Sequence, residues 1–286
     1  MTAATRPWRS VLYIPGSNER ALEKARSLEV DAIIFDLEDA VTVSEKETAR
    51  ETLAKELHVG GYGDRATIVR INALDTSWGV EDFEAIADAE PHAILLPKVN
   101  SAGDVQRLVE MMEAHSAAAE TRVWAMMETA RAMFNAAEIA RAPRIEGFVI
   151  GTNDLAAELG CQTGGDRLPL MMGLQAYLAG ARSNGLVCVD GVFNAFKDEA
   201  GFRAECEQGK ALGMDGKTLI HPAQVAICHE VFSPSEAEVE LARRQIAAFE
   251  EAEAAGQGVA VVDGKIVENL HVATARKTLA KAGIVE

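Results

Sequence analysis

The sequence predicts a (β/α)₈ TIM barrel, class α/β, with a small C-terminal segment appended, and three observations predict it. Short apolar, β-branched runs alternate with longer amphipathic stretches over most of the 286 residues. About eight such runs occur, each followed by a helical stretch, which is the number a closed barrel of this class needs. Polar and charged residues collect where the runs end, and in a barrel those ends converge on one face. An open, doubly wound sheet is the alternative, because periodicity alone does not show closure.

Taken in order, the expected strands are residues 10–14, 32–36, 67–72, 93–98, 122–128, 147–150, 187–190 and 216–220. After the first, the chain turns through Pro15 and Gly16 into a helix expected to start near Asn18. The pattern changes after Phe232, so the barrel is assigned to 1–232 and a lid or oligomerisation segment to 233–286. In that segment Ser235 is placed to cap a helix that ends near Gly256. Asp263-Gly264 suits a tight hairpin turn within VAVVDGKIVEN, and a last helix is expected over about 271–282.

Hydrophobic residues at 48% and charged residues at 25% describe an ordinary globular chain, without a tract that predicts disorder. A net charge of -16 excludes a nucleic-acid surface as the main business of this chain, since that needs clustered Lys and Arg. Cys161, Cys188, Cys206 and Cys228 lie far apart, with no zinc or disulfide spacing. The N-terminus carries no leader pattern and no apolar run is long enough to span a membrane, so a cytoplasmic location with reduced thiols is expected. No GxSxG elbow and no P-loop is present, which disfavours serine-hydrolase and P-loop chemistry.

VWAMMETA ends at Glu128, and GFVIGTNDLA carries Asp154. Two carboxylates on one barrel rim can hold a hard divalent cation such as Mg²⁺, with Mn²⁺ as an alternative. The plainer alternative is that both acids cap the helices that follow. Arg70, in VRIN, can bind a substrate carboxylate bidentately, or it can form a structural ion pair with an acid of DLEDA. Asp36, Glu38 and Asp39 of DLEDA, Lys98 of LLPKV and Asp190 of VDG complete the polar rim as supporting residues. Arg20 and Lys24 share a helix face that can meet phosphates, or they are simply solvated. His221, before Pro222, is a candidate acid or base, and a hydrogen-bonded structural histidine is as good a reading.

RSVLYIPGSNERALEKA, DAIIFDLEDAV, VRIN, LLPKV, META, GTNDLA, VDG and GKTLIHPAQ, in that order, resemble the citrate lyase β-subunit-like enzymes of the HpcH/HpaI aldolase superfamily. The resemblance implies a TIM barrel with a C-terminal lid, acting with Mg²⁺ on a malyl-, citramalyl- or citryl-type CoA thioester. It also implies a homo-oligomer, trimer or hexamer, in which a neighbour's lid closes the site. Carried onto this chain, Glu128 and Asp154 would be the metal ligands and Arg70 would hold the substrate's carboxylate. Tyr13, Lys24, Asn153, Ile220 and His221 would lie along the CoA and substrate path. Asn18 stands where a malyl-CoA-cleaving relative has a CoA-contacting arginine, and Arg20 is the candidate substitute.

In GKIVEN the position that carries an aspartate in lyase relatives is Glu268. The longer side chain moves a general base by about 1 Å, enough to change a rate by roughly 10²-fold. Taken whole, with VAVVDGKIVENLH at its C-terminus, the sequence resembles the hydrolytic branch of these enzymes, which implies (S)-malyl-CoA to malate and CoA, with Glu268 acting as, or orienting, the base for water. Carbon–carbon cleavage to acetyl-CoA (or propionyl-CoA) and a 2-oxo acid is the alternative, and a non-catalytic subunit of a larger lyase assembly is the second.

Overall fold

The computed structural model describes residues 6–115 and 118–284. Among them, eight parallel strands close into a barrel in sequence order: β1 (Ser10–Pro15), β2 (Ala32–Asp36), β3 (Ala66–Arg70), β4 (Ala93–Leu96), β5 (Arg122–Met127), β6 (Ile145–Ile150), β7 (Val187–Asp190) and β8 (Gly216–Leu219). The seam is β8 against β1, with Lys217 opposite Ser10 and Leu219 opposite Leu12. The open-sheet alternative is thereby excluded.

Around the barrel run α1 (Glu19–Ala25), α2 (Lys46–Val59), α3 (Gly79–Ile86), α4 (Ala102–Ala114), α5 (Ala130–Ile139), α6 (Thr152–Leu159), α7 (Met171–Ser183), α8 (Glu199–Leu212) and α9 (Val225–Phe232). Helices cover the outer face and side chains fill the inner one, so strands such as AIIFD and AILL are buried at every position. As expected, Asn18 caps α1, its side chain accepting from the Ala21 N–H.

The expected strand ends at Asn72, Lys98, Glu128 and Ile220 overrun the ladder by one or two residues. Lys98 shows why, since its φ of 52° leaves the extended region altogether. These side chains sit on the first residues of the loops, where the backbone is free to turn.

Two buried polar clusters brace the frame. At the strand-start end, Trp124 packs 4.8 Å from Trp8, and Glu146 accepts from Trp124 Nε1 at 2.9 Å while contacting His92 Nε2 at 2.7 Å. Between the barrel and its helices, Asp190 binds Arg167 at 2.8 Å and Lys217 at 3.1 Å, and Lys217 also reaches Glu205 at 2.6 Å. The seam itself is tight, because a Cβ at Gly216 would lie 1.9 Å from the Trp8 carbonyl oxygen. Gly216→Ala is accordingly expected to cost about 3 kcal/mol or more, read as a lower midpoint in denaturant unfolding.

A second compact unit consists, among the described residues, of residues 230–284 together with Arg6 and Pro7. It contains α10 (Glu236–Ala254), a hairpin of β9 (Ala260–Val262) and β10 (Lys265–Val267), and α11 (Asn269–Lys281). Its own core is built from Ile246, Val262, Val267, Val272 and Leu279. Ser235 caps α10 in a reciprocal box with Glu238, and Asp263 and Gly264 both take positive φ at the hairpin turn. Among the described residues no helix is long and apolar enough to cross a membrane.

Candidate active site

Glu128 lies directly after β5 and Asp154 in the first turn of α6, and both line one cavity of about 490 Å³. Neither acid caps a helix. Thr129 caps α5, its hydroxyl oxygen accepting from the Ala132 N–H at 3.2 Å, and Gly151 occupies the cap of α6. Glu128 Oε1 accepts from the Lys98 backbone N–H at 2.7 Å. Among the described residues, its Oε2 and the whole carboxylate of Asp154 receive no hydrogen-bond donor.

Burial pushes Glu128 up to about 8, and the nearby charges of Asp154 and Glu38 add to that, against the Lys98 N–H and Arg70. A buried acid so raised calls for a cation beside it to remain ionised. The pocket fits one. Among the described residues, the acids lining the cavity, Asp75, Asp104, Glu128, Asp154 and Glu158, outnumber its cations, Lys98 and Arg107, and Asp36, Glu38 and Asp39 surround Arg70 close by. Among the described residues no three His, Cys, Asp or Glu side chains converge into a closed metal cage. Two carboxylates with open positions suit Mg²⁺, which keeps waters and takes substrate oxygens.

Gly151 makes this placement possible, since a Cβ there would meet Glu128 Oε2 at 2.4 Å and Glu128 Cβ at 2.5 Å. Gly151→Ala should displace the carboxylate and lower kcat by about 10²-fold, with weaker Mg²⁺ binding in calorimetric titration.

Arg70 is 6% exposed, and its Nε and Nη2 donate to the two oxygens of Asp36 at 2.7 and 2.6 Å. Its Nη1 lies 2.9 Å from Glu38 Oε2 and 3.6 Å from Asp39 Oδ2. The ion pair with DLEDA that the sequence allowed is therefore formed, and it fixes the plane of the guanidinium. Tyr13 stacks over that plane at 4.9 Å, and its hydroxyl donates to the Met126 sulfur at 3.5 Å.

The remaining expected residues are spread along the strand-end face and beyond. Asn153 exchanges amide hydrogen bonds with Asn194 and is exposed. His221 Nδ1 accepts from the Ala223 N–H at 3.1 Å, and its ring stacks on the partly exposed Phe196 at 4.7 Å. That bond caps the 3-10 turn Pro222–Gln224 ahead of α9, so the structural reading of His221 has direct support. Ile220 is 40% exposed, and Arg20 and Lys24 are exposed on α1. Asp190 does not join the cavity lining; its carboxylate turns into the Arg167 and Lys217 cluster, where charge compensation is available. Glu268 belongs to the second unit, exposed at the N-terminal cap of α11, where its N–H donates to His271 Nδ1 at 3.0 Å.

Reading the sequence missed Asn100 and Tyr177. Tyr177 donates to the Thr129 carbonyl, Thr129 to Asn100 Oδ1, and Asn135 to the Asn100 carbonyl, which ties the loops after β4 and β5 together beside Glu128. Asn100 and Thr129 adjoin the LLPKV and META motifs, and that adjacency was the available signal. Phe196, partly exposed, offers an aromatic face with Lys197 above it.

The model of the HpcH/HpaI aldolase/citrate lyase family matches residues 9–222. The chain belongs to that family. Among curated members, it is 61% identical over 282 residues to the (3S)-malyl-CoA thioesterase of Cereibacter sphaeroides, covering 99% of this chain and 97% of that one. It is 36% identical over 284 residues to the citrate lyase subunit beta of Escherichia coli, covering 97% and 94%. Among solved members, CitE from Mycobacterium tuberculosis in complex with magnesium, acetoacetate and coenzyme A superposes with a TM-score of 0.82 at 30% identity, over 99% of this chain and 100% of that one.

Proposed function

We infer that this chain hydrolyses (3S)-malyl-CoA to (S)-malate and coenzyme A with Mg²⁺. The observation that carries this is 61% identity, running through the barrel and the tail alike, to (3S)-malyl-CoA thioesterase. Carbon–carbon cleavage, as in the lyase members, draws its support from a relative at 36% identity. A non-catalytic subunit role has that same, weaker support.

Glu128 and Asp154 would hold the metal, which when bound supplies Lewis-acid polarisation of substrate oxygens and offsets the negative charge of the pocket. Arg70, fixed in plane by Asp36, presents its Nη1 edge to the substrate's carboxylate. The exposed stretch of Ile220 and His221, with Tyr13, Asn153, Arg20 and Lys24, forms the path for the acyl group and coenzyme A. Glu268 of a neighbouring copy takes a proton from water as the water oxygen bonds to the thioester carbon. The carbon–sulfur bond then breaks and the departing thiolate recovers that proton, leaving malate and free CoA.

The tail, residues 233–286, acts in this reading as a lid that a neighbour in a trimer or hexamer contributes. Exposed Val261, Ile266 and Leu270 near Glu268 give it an apolar face suited to another chain. Mixing inactive Arg70→Ala with inactive Glu268→Ala chains should restore activity, because some sites then combine an intact Arg70 with an intact Glu268. No recovery would place both residues in one chain's site. A cytoplasmic setting accords with the four cysteines, all free thiols.

The deciding experiment incubates the purified protein with (3S)-malyl-CoA and Mg²⁺ and follows free thiol and glyoxylate in one tube. Thiol without glyoxylate is the expected result. Glyoxylate with acetyl-CoA would make the protein a lyase, and no turnover by the isolated chain would favour the subunit role.

A further inference from the structure

Lys98 does two things at once. Its backbone, held at φ 52°, aims the N–H at Glu128 Oε1, and its ammonium reaches Glu38 Oε1 at 2.7 Å. A lysine held in the left-handed region is sparsely populated and persists only where its surroundings enforce it. The turn thus joins the metal-side carboxylate to the carboxylate that faces Arg70.

Glu38 is the residue this matters to. Its Oε2 lies 2.9 Å from Arg70 Nη1, yet it is buried without a partner in hydrogen-bonding geometry. Arg70 spends Nε and Nη2 on Asp36, while Nη1, besides its 2.9 Å ion pair with Glu38 and the 3.6 Å approach of Asp39, makes a long 3.8 Å contact to the Met126 sulfur. Nη1 is therefore the guanidinium nitrogen that makes no hydrogen bond to Asp36, and Glu38 already stands against it as a built-in competitor for a substrate's carboxylate. A small rotation of Glu38 would bring its oxygen into line with Nη1. The Lys98 ammonium on the other oxygen opposes that rotation.

We propose that Lys98 is a positioning residue that restrains the Glu38 carboxylate, limiting how strongly Glu38 competes with the substrate's carboxylate for Arg70 Nη1. This rests on the reading that Arg70 receives that carboxylate. Losing the restraint lets an internal charged hydrogen bond compete with the substrate, which should weaken binding about tenfold or more. The Lys98 N–H to Glu128 is backbone and survives a side-chain change, so the metal side should be spared.

The test titrates full-length protein with Mg²⁺, then with (S)-malate in saturating Mg²⁺, by calorimetry, alongside KM and kcat for malyl-CoA. Lys98→Met should weaken malate about tenfold, raise KM in step and leave Mg²⁺ affinity at the wild-type value. Adding Glu38→Gln to it should restore malate affinity, because the competitor is gone. Glu38→Gln alone should bind malate as tightly as wild type or more so, which keeps the test open if Lys98→Met fails to fold. Unchanged malate binding in Lys98→Met, no rescue in the double variant, weaker malate binding in Glu38→Gln, or a loss falling on kcat with malate affinity intact would each overturn the inference. A wild type that binds malate but releases no thiol from malyl-CoA counts against the hydrolase reading alone. A wild type that hydrolyses malyl-CoA but binds no malate would overturn the inference alone, by removing the assumed Arg70 contact.

Discussion

Glu128→Gln is expected to lower turnover by about 10³-fold and abolish measurable Mg²⁺ binding, while making the metal-free protein more stable at pH 8 and above. The two effects share one cause. Burial, with Asp154 and Glu38 nearby, raises this carboxyl in the folded state to about 8 from an ordinary 4.5. The neutral form is thus favoured on folding, a contribution fully present below 4.5 and lost as the pH rises through about 8. Above that pH the folded wild type carries a buried, uncompensated charge that costs a few kcal/mol, on the order of 1.4 kcal/mol for each tenfold rise in proton affinity. Glutamine keeps the shape and can still accept from the Lys98 N–H, but has no charge to bury. Thermal melts in chelator at pH 6 and pH 9 would check this: the variant's advantage should widen from the lower pH to the higher, where it reaches on the order of 5 °C or more. Saturating Mg²⁺ should reverse the order by stabilising wild type alone. A variant that melts below wild type at pH 9 in chelator would mean that the pocket does not penalise the Glu128 charge.

Asp190→Asn should cost about 3–5 kcal/mol of folding stability. Lys217 is fully buried and Arg167 nearly so, and Asp190 bonds to both. Burial alone would raise the Asp190 carboxyl, but Lys217 and Arg167 outweigh it and hold the group below its usual range. Its stabilising contribution is therefore present above the ordinary carboxyl range and lost as the pH falls through the lowered folded value. Removing the charge leaves two buried cations facing Glu205 alone, across 2.6 Å from Lys217 and 3.7 Å from Arg167. The fall should be seen as a lower denaturant midpoint with an unchanged slope. Asp263→Asn makes a useful control, because its pair with Arg244 is exposed and expected to contribute little. Equal midpoints for Asp190→Asn and wild type would show that the buried cations find other compensation.

The barrel was legible because its chemistry is repetitive. Strands covered on both faces must be apolar throughout, and the turns between units carry the polar residues, so 32–36 and 187–190 coincide with β2 and β7 to the residue. Ser235, Asn18 and Asp263-Gly264 were legible for a local reason, since caps and tight turns are decided by a few neighbouring atoms. Glu128 and Asp154 could be paired from sequence because strand ends in a barrel share one face. Sequence by itself thus determined the barrel, its order of elements, the caps, and which acids stand at the rim.

Only the tertiary structure decided what those groups face. That Asp190 turns to Lys217 and Arg167, that Arg70 is locked by Asp36, and that Lys98 reaches Glu38 are contacts between residues 23 to 60 positions apart. No local pattern encodes them, because burial and the pairing of charges depend on which helices and loops the closed barrel brings together. The raised pKa of Glu128 belongs to the same class. It follows from the water that folding removes and from carboxylates that neighbouring strands deliver, neither of which a stretch of sequence contains.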